Sequence, residues 1–81
     1  MRIYNVDADK KVNNAILYLT PDEAQEMKDS LELLINNKNH HHEHIPDRAD
    51  KFKREITICI YTNDNLSTFD KRSQKLILED I

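Results

Sequence analysis

Apolar residues in this chain fall in short groups separated by Asn, Asp and Lys. Residues 2–6 alternate around Tyr4 and Val6, with Ile3 on the other side, which predicts a short strand. Asp7-Ala8-Asp9-Lys10 has turn chemistry, because Asp tolerates left-handed backbone and hydrogen-bonds its own chain. A second strand is then expected to about Thr20. Its centre, Ala15-Ile16-Leu17-Tyr18-Leu19, is apolar on both faces, as in a central, covered strand. The first two strands are expected to form a hairpin.

Thr20-Pro21-Asp22-Glu23 is the sharpest local signal. It combines an N-cap threonine, a proline at the first helical position and a glutamate placed to close a capping box. Ala24, Met27, Leu31, Leu34 and Ile35 follow at helical spacing, so a helix over 21–36 is predicted with that stripe facing a core. Asn36-Asn37 is expected to end it in the left-handed conformation that Asn tolerates. Residues 37–54 are polar and read as a long loop, with one helical turn permitted at 47–50. From Glu55 to Thr62 the alternation is clear. Ile56, Ile58 and Ile60 line one face, and Thr57, Cys59 and Tyr61 the other. A last helix is expected near 68–80, capped by Ser67 or Thr68, with Phe69, Leu76 and Ile77 on its apolar stripe.

The order β-β-α-β-α predicts an α+β fold: a small three-stranded mixed sheet with two helices on one face. The helices are expected to cover the isoleucines. The chain then reads as a single domain over residues 1–81, with a polar, His-rich loop at about 37–54.

Composition narrows the function classes. The chain has 81 residues and no glycine, where average usage of roughly 7% would supply about six. A GxGxxG loop, a Walker A loop and a GxSxG elbow are therefore excluded, since each needs glycine for close approach or positive φ. A chain this short buries only about 60–65% of its unfolded surface, so a homo-oligomer or a bound ion is a natural supplement. Twelve basic and 15 acidic residues give a formal charge of −3, which disfavours a dedicated nucleic-acid binder. One cysteine excludes an internal disulfide. The N-terminus carries no apolar signal-peptide core, and no apolar run approaches the length of a membrane span. A cytoplasmic protein without membrane association is the expectation.

Three groups of residues carry candidate chemistry. His40, His41, His42 and His44 surround Glu43. His40, His42 and His44 share a face if extended, and with Asp47 they offer nitrogen and oxygen ligands for zinc or another divalent transition metal. No standard metal motif is present, and solvated histidines are the simpler reading. Arg48, Lys51, Lys53 and Arg54 surround Phe52, a pattern suited to weak nucleic-acid contact. The simpler reading makes Phe52 an anchor for the loop. Finally, the Thr57, Cys59 and Tyr61 face has no covering layer left within the chain, so it and Phe52 are candidate partner-binding residues.

These readings favour a small non-enzymatic interaction module without a cofactor: a regulator, inhibitor or accessory protein. It would meet a protein partner or form a homodimer through the sheet face and the His/basic loop. The alternatives are a metal-binding protein or metal-dependent hydrolase using the His40–His44 cluster, and weak nucleic-acid binding through residues 48–54.

Overall fold

The structure, a computed structural model, describes residues 1–48, 51 and 53–81. The chain forms two compact units, one from Met1–Leu17 with Tyr61–Ile81, the other from Tyr18–Ile60. No helix among the described residues is long and apolar enough to cross a membrane.

In the first unit, β1 (Tyr4–Asn5) and β2 (Lys10–Lys11) pair antiparallel, Tyr4 opposite Lys11 and Asn5 opposite Lys10. One further bond, Val12 N–H to Ile3 C=O at 2.8 Å, extends this ladder. The Asn5 side chain accepts from the Ala8 amide at 3.1 Å, and Asp9 turns the chain at φ 52°. Asp performs this left-handed step with a small steric penalty that glycine would not incur. A 3-10 turn at Leu66–Thr68 precedes α2 (Lys71–Glu79), whose N-cap is Asp70. The helix thus begins later than the Ser67 or Thr68 cap predicts, because residues 66–68 close a tighter turn of their own. Leu76 is the buried residue of α2.

The negative end of α2 carries Glu79 and Asp80 and has basic neighbours. Arg2 Nε donates to the Leu76 carbonyl at 3.1 Å, and Arg2 and Lys11 lie 3.7 and 3.8 Å from the Asp80 carboxylate. Arg2 adds a second donor to a carbonyl that already accepts from the Asp80 amide at 2.9 Å, and the two cations offset the unfavourable helix-dipole charge.

In the second unit, α1 (Pro21–Asn36) follows its predicted bounds. Thr20 Oγ1 accepts from the Glu23 amide at 3.2 Å, and the Glu23 carboxylate accepts from the Thr20 amide at 2.8 Å. Its C-cap, Asn37, is extended rather than left-handed. The buried stripe also differs from the apolar one. It runs through Glu23, Met27, Ser30 and Leu34, whereas Leu31 and Ile35 face water. Two polar residues lie on this inner face because the neighbouring segment supplies their partners. Glu23 accepts from the Arg48 amide at 2.7 Å, and Ser30 Oγ donates to Glu43 at 3.3 Å.

The sheet is where the structure departs from expectation. There is no three-stranded mixed sheet with two helices on one face. Instead, β3 (His42–Pro46) pairs antiparallel with β4 (Glu55–Cys59), forming a second two-stranded sheet separate from β1–β2. Only α1 belongs to the β3–β4 unit; α2 belongs to the other. The segment expected as a central strand, Ala15–Leu19, lies outside any strand, with Ile16 76% and Tyr18 88% exposed. The predicted loop contains the strand that pairs with β4. A neighbouring partner across a short connection costs less closure entropy than the crossover the prediction required. Proline at the end of β3 is compatible with an edge strand.

Ile45, 3% exposed, and Leu34, 4% exposed, are the most buried apolar residues of this unit among the described residues. Each contributes about 1.5–3 kcal/mol of hydrophobic stabilisation. Ile56 and Ile58 are half-buried on the same side of the ribbon as Ile45, because Ile45 is directly opposite Ile56.

Candidate functional site

The β3–β4 register brings two of the predicted groups onto one surface. His42 lies opposite Cys59, and His44 opposite Thr57. Strand alternation turns Glu43 and Ile45 toward α1 and leaves His42, His44, Thr57 and Cys59 on the other face. All four are exposed. Two of the clustered histidines, His42 and His44, therefore share one surface with Thr57 and Cys59 of the open face predicted from β4. Tyr61 is exposed but lies beyond β4, in the other unit. Phe52 lies outside the described residues.

The histidines have different environments. His40 Nε2 donates to the Glu43 carboxylate at 2.6 Å, on the α1 side of β3. That hydrogen bond, more than any other contact, holds the Glu43 carboxyl below the usual range. Ser30 adds a weaker effect in the same direction. His44 Nδ1 contacts the Glu55 carboxylate and lies 2.9 Å from Thr57 Oγ1. A carboxylate only accepts, so this nitrogen carries the hydrogen. His41 and His42 face each other through their Nδ1 atoms at 2.9 Å. The His42 and His44 rings meet edge to face, with centroids 4.7 Å apart.

The expected ligand set, His40, His42, His44 and Asp47, is thus distributed over different surroundings. Asp47 lies beyond β3 and accepts from Arg54 Nη1 at 3.3 Å. Among the described residues, no three His, Cys, Asp or Glu side chains are gathered in a way that holds a metal. Cys59 is free of any disulfide, and partial burial pushes its thiol pKa up. A raised pKa favours the thiol over the nucleophilic or ligating thiolate.

The basic residues are also dispersed. Arg48 Nε donates to Glu26 at 3.1 Å, and that carboxylate is the main cause of a raised Arg48 pKa. Arg54 pairs with Asp47. Lys51 is exposed in left-handed backbone at φ 53°, and Lys53 is exposed as well. Arg48 borders an open groove of about 610 Å³ that also presents Asp22, Glu26, Asp29 and Glu43. The field along that groove is unfavourable to a polyanion.

The inward pairing of Ser30 on α1 with Glu43 on β3 is not expected from the sequence. Period-two alternation of Glu43 and Ile45 against His42 and His44 was the available signal, but only one of those four residues is apolar. Comparisons of the chain with protein-family models, curated proteins and solved structures find no match.

Proposed function

We propose that this protein is a small non-enzymatic interaction module whose working surface is the outer face of the β3–β4 ribbon, and that its first partner is a second copy of itself. The observation supporting this reading is the exposure of His42, His44, Thr57 and Cys59 on one side, while α1 lies on the other. A two-stranded ribbon also ends in two edges, each with unpaired backbone donors and acceptors. Antiparallel pairing of such an edge with its own copy is self-complementary and closes on a two-fold axis. The Glu55 carboxylate on this face is in contact with His44, which limits repulsion between two copies.

The raised Cys59 pKa favours binding over nucleophilic chemistry at this face. Sedimentation equilibrium of the full chain tests the proposal. A monomer–dimer equilibrium at micromolar concentration, weakened at least ten-fold in Thr57→Asp with an unchanged circular dichroism spectrum, is expected. A monomer throughout the accessible concentration range contradicts it.

A further inference from the structure

We propose that His41 and His42 form a two-nitrogen edge for a divalent transition-metal ion with right-angled coordination, nickel(II) or copper(II). Their Nδ1 atoms are 2.9 Å apart. Two metal–nitrogen bonds of about 2.05 Å meeting at about 90° span about 2.9 Å, whereas a tetrahedral angle spans about 3.3 Å. The separation therefore matches square-planar or octahedral geometry better than tetrahedral zinc.

The other candidate donors are turned to different partners. His40 donates to Glu43, His44 contacts Glu55 and Thr57, and Asp47 accepts from Arg54. Cys59 is opposite His42, but its raised pKa disfavours the thiolate that a metal requires. The site is an edge rather than a cage, consistent with the lack of any gathered group of three ligands among the described residues. Water fills the remaining positions. The hydrogen shared between the two Nδ1 atoms leaves, its ring takes up a hydrogen on Nε2 instead, and the metal binds both Nδ1 lone pairs from a point off the line that joins them. Both rings bind the metal as neutral imidazoles.

The test is calorimetric titration of nickel(II) alone into the untagged full chain at pH 7.5. Nickel is chosen because it does not oxidise the Cys59 thiol. The expected result is one ion per chain. His41→Gln and His42→Gln each weaken binding at least ten-fold, while His40→Gln and His44→Gln change it less than three-fold. Circular dichroism identifies any variant that fails to fold, in which case Ala replaces Gln at that position. The proposal is overturned if the chain takes no nickel, if the four variants lose affinity equally, or if loss follows His40 or His44 instead. It is also overturned if a peptide of residues 38–46 binds nickel as tightly as the full chain.

Discussion

His42 on β3 lies directly opposite Cys59 on β4, and that single register relation determines which side chains the ribbon presents. A slip by one residue would turn His42 and His44 inward and expel Ile45 from its buried position. Directly opposed residues in an antiparallel pair have Cα atoms about 4.5–5.5 Å apart, within the range a disulfide spans. Introducing a second thiol by His42→Cys is expected to give an intramolecular bond with Cys59 on air oxidation. Glu43→Cys, on the opposite face, is expected to give none. Thiol titration before and after oxidation, with mass spectrometry of the digest, reads the outcome.

Glu23 closes the α1 capping box and accepts the Arg48 amide from the segment after β3. Thr20→Ala removes one cap bond and is expected to cost about 1 kcal/mol. Glu23→Ala leaves both the Thr20 and Arg48 amides without this acceptor, and a larger loss, about 2–3 kcal/mol, is expected. Glu23→Gln keeps an acceptor oxygen and falls between them. Urea unfolding of the three variants gives this order.

The hydrogen bond from His40 lowers the Glu43 pKa in the folded chain. A depressed folded pKa adds stability above the unfolded value, ordinarily about 4.3. That contribution is lost as pH falls through the lower folded value. Stability is therefore expected to decline on the acid side of the ordinary glutamate range, and Glu43→Gln is expected to flatten that part of the profile. Unfolding midpoints measured from pH 2.5 to 6 test the sign.

A chain without glycine must make its left-handed steps with other residues, and Asp9, Lys51 and Asp80 do so here. Asp80 has ion-pair partners that a substitution would sacrifice. Lys51 is the cleaner test of backbone preference. Lys51→Gly relieves the Cβ clash, worth about 1–2 kcal/mol, less the extra entropy of an unfolded glycine. A net gain of about 0.5–1 kcal/mol is expected, and Lys51→Val is expected to destabilise. Thermal unfolding of the pair reads the difference.

Helix α1 was legible because Thr20, Pro21 and Glu23 specify its start through local bonds. Strand β4 was legible because its isoleucines alternate with smaller or polar residues. Its partner was not, because His42, Glu43 and His44 present no apolar face; only the pairing of Ile45 with Ile56 gives β3 its inward side. The Ala15–Leu19 run misled in the opposite sense. Apolarity on both faces predicts cover, but does not identify which segment supplies it, and here the run remains exposed. The buried stripe of α1 shows the same limit. Ser30 and Glu23 turn inward because Glu43 and Arg48 lie close to them, a fact that helical periodicity alone does not carry.

Cys59 is a built-in reporter on the outer ribbon face. The rate of its alkylation by iodoacetamide, measured from low micromolar to about millimolar protein, tests whether that face is covered by a second copy. The expected result is a rate that falls at least five-fold as concentration rises, with the concentration dependence abolished in Thr57→Asp. A rate that stays constant across the range, with the chain sedimenting as a monomer, would contradict an interaction module that acts through this surface.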